Sequence, residues 1–368
     1  MKHFERGARR ESLDAAVARV AGAYGFTSQP LVISKRKVAD VGDEIDHQTA
    51  AQIALIQDAP TAKQPTQVWG MTKKGTGTTL SFTVLAARHA ISHALVIKTA
   101  LSIAELAGFN ELTVSVSSIG DAESRRRFVR ELGSFFKKNA EALTPEIRQR
   151  ANQNPEQAYR DMLVAGGELA ERLPRPIDYL SENSRKTMTD TLALFESADI
   201  PYILEPHLSA VPGVHTELVF ALHGVDRHGE RHTIATGGRF DELMKKREKA
   251  PVGHTVGISL TVPEAIEPEE TEEDMSCFVV HVGDAAKLRS FALLEALWRA
   301  NVAVGQALMV ESLRDQMTEA QNHRSRYVAI IGQRESLDGT VILRNTTTQM
   351  QGSIPADKLV SAVSRAKR

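Results

Sequence analysis

The stretch PEAIEPEETEEDMS, Pro263 to Ser276, constrains the fold of this chain more than any other. It holds seven acidic residues and almost nothing that builds a core, the composition of a solvated linker. The chain is thereby divided into a long segment, residues 1–262, and a compact one, residues 277–368, each expected to close its own core.

Four strand-like runs mark the compact segment: CFVVHV from Cys277, VAVGQ from Val302, YVAIIG from Tyr327 and TVILRN from Thr340. Amphipathic stretches over Asp284–Ala300 and Ser312–Asn322 separate the first three, and a last one covers Ala356–Ala366. Strands alternating with helices of this length predict a small α/β sandwich on a largely parallel sheet.

The long segment is more mixed. An amphipathic helix over Arg9–Tyr24 ends at Gly25 and enters an extended FTSQPLVIS. Leu80–Leu106 reads as one long apolar stretch of helical character, ELTVSVSSIG from Glu111 as an alternating strand, and Asp121–Asn139 as a surface helix. Residues from about 140 to 185 are polar and broken by NQNPEQ and PRPIDYL, which predicts a helical insertion. IPYILEP, TELVFALHG and RHTIATGG then read as consecutive antiparallel strands, the last running into TGGRFDEL.

Composition narrows the function. The formal net charge is −1, so no bulk basic field draws nucleic acid, and any RNA contact needs a local basic face. A single cysteine, Cys277, excludes a disulfide framework and a cysteine-rich zinc site. The start, MKHFERGARRESLDAAV, has no apolar targeting core, and no run reaches the ~20 apolar residues of a membrane span, so the chain is expected to be cytoplasmic.

Isolated motifs say less. KKGTGTT, Lys73 to Thr79, lacks the spacing that sets a lysine and a helix start on a phosphate, and reads as a flexible basic loop. His89 and His93 are four apart without a third ligand, so no metal is expected. Arg125, Arg126, Arg127 and Arg130 crowd one helix, where a solvated face is the ordinary reading and weak RNA contact the other. Gly237-Gly238 alone is an ordinary tight turn or bulge.

Together, SSIGDAESRRRFVREL, PIDYLSENSRKTMTDTLALFESADIPYIL, TGGRFDEL and PVGHTVGISL resemble, in order and spacing, histidyl-tRNA synthetases of the class II family. YVAIIGQRESLDGTVILRNTTTQMQGSIPADKLV looks like the anticodon-binding domain of that family, and the Arg9–Tyr24 helix leading to Pro30 is similar to the dimer-forming first motif of class II synthetases. The resemblance implies an α+β core, with an antiparallel six-stranded catalytic sheet flanked by helices and a small helical insertion, followed by an α/β anticodon-binding domain. It places Gly237, Gly238, Arg239, Phe240 and Asp241 in a former histidine pocket. There the glycines let backbone approach a small ligand, Arg239 and Asp241 supply polar contacts, and Phe240 stands where the family has tyrosine.

Amino-acid activation builds negative charge on the α-phosphate of ATP, which fixed arginines stabilise. The family uses three, and each is missing here. Counting back from Phe220 places Ala210 at the arginine and Gly213 at the aspartate of the histidine-specific Arg-Gly-Leu-Asp-Tyr-Tyr segment. The third motif, Gly-Leu-Glu-Arg in the family, is GISL, with Ser259 and Leu260 at its last two positions. The second motif is shortened and unrecognisable, leaving only Arg88, in an apolar helical run, as a candidate. Losing one such donor costs about 10²- to 10³-fold in rate, so losing all three leaves essentially no adenylation.

The resemblance and its departures together imply a non-catalytic, homodimeric paralogue without a cofactor, acting as a binding or regulatory module. Its C-terminal segment would meet tRNA, or another partner of that surface, through Arg314, Arg324, Arg326, Arg334 and Arg344. The alternatives are an active histidine–tRNA ligase using ATP and Mg²⁺ with divergent motifs, a regulatory subunit of ATP phosphoribosyltransferase, or a purely structural dimer scaffold.

Overall fold

The computed structural model describes residues 13–34, 45–59, 64–75, 77–208, 211, 214–245, 254–263 and 276–365. The first turns of the expected N-terminal helix, Ala210, Gly213 and residues 264–275 of the acidic stretch lie outside them.

In chain order the first elements are α1 (Leu13–Ala23), β1 (Thr27–Ser28), α2 (His47–Asp58), β2 (Thr66–Lys74), β3 (Gly77–Leu85), α3 (Ile91–Leu106), β4 (Asn110–Gly120) and α4 (Ala122–Lys138). The insertion supplies α5 (Pro145–Gln153), α6 (Pro155–Ala165) and α7 (Glu168–Glu171). After α8 (Glu182–Ser197) come β5 (Tyr202–Leu204), β6 (Thr216–Val225), β7 (Arg231–Arg239), α9 (Asp241–Lys245) and β8 (Thr255–Pro263). These strands form one sheet in the order β1-β2-β3-β8-β7-β6-β4-β5. From β2 to β4 every neighbour is antiparallel, which is the expected six-stranded sheet; β1 and β5 extend it as short parallel edges.

Three expectations are corrected. Leu80–Leu106 is not one helix: Gly77–Leu85 is a strand, a turn follows, and the helix begins at Ile91. Strand β3 is buried on both faces, and a fully buried strand has the same continuous apolar character as a buried helix. IPYILEP is no antiparallel neighbour of TELVFALHG; β5 pairs parallel with β4 at the sheet edge. KKGTGTT is the tip of the β2–β3 hairpin, with Lys73 opposite Thr78, Lys74 opposite Gly77, and Gly75 at a φ of +62° that only glycine adopts freely.

The stretches that carry the family resemblance build a reciprocal cap. Asp121 opens α4 by accepting from the amides of Glu123 and Ser124, and Ser181 opens α8 by accepting from Ser184 N. The two starts then bond each other: Ser181 Oγ donates to Asp121 Oδ2 at 2.9 Å, Ser181 N to Ser124 Oγ at 2.8 Å, and Asp121 N to Ser184 Oγ at 3.0 Å. Gly120 precedes this knot at φ +67°, and a Cβ there would stand 2.3 Å from that of Ser124. The insertion packs its own small core of Tyr159, Met162 and Leu173 on Phe128, Leu132 and Phe136 of α4.

The C-terminal part holds β9 (Cys277–His281), α10 (Asp284–Arg299), β10 (Val304–Gln306), α11 (Leu313–Asn322), β11 (Tyr327–Ile331), α12 (Gln333–Asp338), β12 (Thr340–Asn345), β13 (Gln351–Pro355) and α13 (Leu359–Arg365). Its sheet runs β10-β9-β11-β12-β13, parallel across the first three strands and antiparallel thereafter. Helix α12 and strand β13 carry too few apolar residues to have been read from the sequence. One hydrophobic cluster runs without a break from the large sheet through α1, α3 and α10 into the small one.

Candidate ligand pocket and nucleic-acid face

The segment IATGGRFDELM forms the end of β7 and the start of α9. Both glycines face protein atoms: a Cβ at Gly237 would lie 2.3 Å from Gly257 O and 2.5 Å from Phe220 Cε2, and one at Gly238 2.9 Å from Leu218 O. Close packing between β6 and β8 is therefore sufficient reason for the pair. Arg239 is buried, with Nε donating to Asp241 Oδ2 at 2.8 Å and Nη2 against His254 Nδ1. Asp241 Oδ1 accepts from Thr255 N at 2.9 Å, which ties the turn to β8. Burial opposes ionisation of Asp241, but His254, Arg239 and the Thr255 amide outweigh it and hold the carboxyl below its ordinary range. Phe240 is buried against His215, with ring centroids 4.9 Å apart. Burial pushes the pKa of His215 down to about 4, and burial with the Arg239 charge pushes that of His93 down to about 3.

Helix α2 lies on the polar face of the large sheet. Gln48 Nε2 donates to Ile234 O at 2.8 Å and Thr261 Oγ1 at 3.1 Å, and its Oε1 accepts from Thr236 Oγ1 at 3.0 Å. Gln52 accepts from Ser259 Oγ at 3.0 Å and also bonds Thr83, while Ser259 and Ser81 hydroxyls stand 2.7 Å apart. Gly257 leaves the room for this: a Cβ there would stand 2.0 Å from Gln52 Nε2. Leu260, the residue after Ser259, points to the other face and is fully buried in the main core. Neither glutamine nor His254 was singled out in the sequence; the i, i+4 spacing of Gln48 and Gln52, which puts both on one helix face, was the available signal.

Arg88 is exposed in the turn between β3 and α3, not in a helical run. Arg125 is neither idle on a solvated face nor free for RNA. It holds Glu156 of the insertion bidentately at 2.7 and 2.8 Å and reaches Glu242 of α9 at 3.4 Å. Asp226, Glu230 and His232 bring possible metal ligands within 4.8 Å at the β6–β7 tip. Asp226 Oδ1 there accepts from the amides of His228 and Glu230, so the turn itself accounts for the group.

The C-terminal sheet divides the five candidate arginines. Arg324 and Arg326 precede β11 and Arg344 ends β12, so these three meet at one end of the sheet, where Thr346 Oγ1 donates to Ser325 O at 2.7 Å. Arg314 at the start of α11 and Arg334 at the start of α12 lie at the opposite end. Helix α11 packs over β9 and β10, leaving β12 and β13 open on that face. The open face carries half-buried Ile342 and Arg344 and exposed Gln351 and Ser353, with the Arg326 guanidinium 5.7 Å from the Tyr327 ring centre at its margin.

Residues 276–366 match the family model for an anticodon binding domain. The histidine–tRNA ligase of Symbiobacterium thermophilum is 28% identical over 302 residues, 78% of this chain and 68% of that protein. That of Staphylococcus saprophyticus is 24% identical over 277 residues, 72% of this chain and 65% of its own. Over most of its length the chain is thus similar to histidine–tRNA ligases. Its fold is that of the apo histidyl-tRNA synthetase of S. aureus, with a TM-score of 0.54 at 19% identity, covering 99% of this chain and 100% of that one. Against the ligase of Paraburkholderia phytofirmans the match spans 60% of the relative, so the chain covers about two thirds, or less, of the length of these curated synthetases. No helix among the described residues is long and apolar enough to cross a membrane.

Proposed function

We propose that this synthetase-like chain does not activate histidine and instead binds RNA of the tRNA type through its C-terminal sheet, as a cytoplasmic homodimer with a binding or regulatory role. The burial of Leu260 carries the non-catalytic half of this reading. Where the family pattern has the third-motif arginine, this chain has an aliphatic side chain with 0% exposure. An arginine there would be a charge in a dry core. The neighbouring Ser259 is committed to Gln52 and Ser81, and Arg239 to Asp241 and His254, so these polar groups already have partners inside the protein.

The RNA half rests on the anticodon-domain match and on the open face of β12 and β13. Exposed sheet with apolar, amide and guanidinium groups suits unpaired bases flanked by phosphates. Titrating a labelled tRNA with the full chain across salt concentrations tests it: binding that weakens steadily with salt supports the reading, and no binding at low salt overturns it.

A further inference from the structure

The two sheets are joined by a charged group that is almost wholly buried. Lys98 of α3 is 5% exposed, Glu295 of α10 2%, and Tyr24, just after α1, 1%. Lys98 Nζ stands 2.7 Å from Glu295 Oε2, Tyr24 Oη donates to Glu295 Oε1 at 3.0 Å, and Ser102 Oγ lies 3.1 Å from the same phenol. The backbone reinforces the joint: Tyr24 O accepts from Gln306 of the small sheet at 2.9 Å and from Gln67 at 2.6 Å. Gly25 follows at φ +83°, where a Cβ would stand 2.8 Å from Gln306 Nε2. Beside this group a cleft of about 250 Å³ is lined by Lys98, Glu105, Asp199 and Arg299, and Arg299 bonds Ala198 O at 3.1 Å.

A buried ion pair seldom adds stability over apolar residues of the same volume, because desolvation offsets its attraction. Its effect is on alternatives. Any pose that slides α10 along α3 leaves Lys98 and Glu295 buried without each other, which costs far more than a shifted aliphatic contact. We propose that Lys98, Glu295 and Tyr24 form a docking lock that fixes one orientation of the C-terminal sheet on the core, so that the two move as one body.

The full chain, Lys98→Met, Glu295→Gln and the double substitution Lys98→Met/Glu295→Leu are compared by scanning calorimetry and small-angle X-ray scattering. The unsubstituted chain is expected to unfold in one transition. Each single variant strands a charge and is expected to undock, giving two transitions and a larger radius of gyration with helix content retained. The double variant, with no charge to strand, is expected to return to one transition. Single variants that keep one transition and an unchanged scattering profile would overturn the lock. So would single variants that lose helix content, since the pair would then serve folding itself rather than docking.

Discussion

Ser81 and Ser259 face each other across β3 and β8 with their hydroxyl oxygens 2.7 Å apart, and Gln52 closes the group from above. This face of the sheet, between β3 and β8, is thus hydrogen-bonded internally. Restoring the family residues by Ser259→Glu with Leu260→Arg should give no activity. It forces two charges into filled positions, and the expected loss of stability is more than about 4 kcal/mol, read as a collapse of the urea midpoint.

Glycine positions separate packing from conformational freedom. Gly237→Ala is expected to cost about 1–3 kcal/mol, because its Cβ would meet Gly257 O at 2.3 Å. Gly133→Ala, in the interior of α4 with nothing within 4 Å, should stabilise by about 0.5–1 kcal/mol. Urea melts of both variants give the two signs directly.

Asp241→Asn leaves Arg239 buried without its charge partner and is expected to cost about 3–5 kcal/mol near neutrality. Because the folded pKa of Asp241 is depressed, its contribution is present above the ordinary carboxylate pKa and is lost as pH falls through the folded value. The gap between wild type and variant should therefore narrow in acid. A gap that stays constant down to the acid transition would contradict the pairing.

His93 and His215 are held neutral, with pKa values near 3 and 4. The unfolded chain takes up protons on both as pH falls below about 6.5, so the fold loses stability from there downward. Replacing His93 by Leu should flatten the dependence of stability on pH between 6 and 4 by up to one proton, about 1.4 kcal/mol per pH unit.

On the RNA side, Arg326→Ala and Arg344→Ala should weaken binding and each lower the salt slope by about 0.7 for every phosphate left without its guanidinium. Arg314→Ala and Arg334→Ala, at the far end of the sheet, should leave affinity unchanged. Equal losses from all four would place the RNA elsewhere.

The fold was legible where local chemistry is periodic: strands β9 to β12 of the small sheet and the helices expected from Asp284 and Ser312 follow directly from apolar spacing. Strand β3 was not, because burial on both faces erases the alternation that marks a strand. The Gly-Gly-Arg-Phe-Asp segment was legible as a marker of kinship, while its neighbours came from distant chain: His254 closes on Arg239 and Gln52 on Ser259 across separations that no local pattern encodes. Arg125 likewise looked like a surface charge until the insertion supplied Glu156.

The most direct test of the account is histidine-dependent ATP–pyrophosphate exchange by the purified full chain, with an active histidine–tRNA ligase run in parallel. No exchange above the no-enzyme rate is predicted. Exchange that depends on histidine and scales with protein concentration would contradict it, because this sheet would then be stabilising α-phosphate charge without the arginines its family pattern supplies.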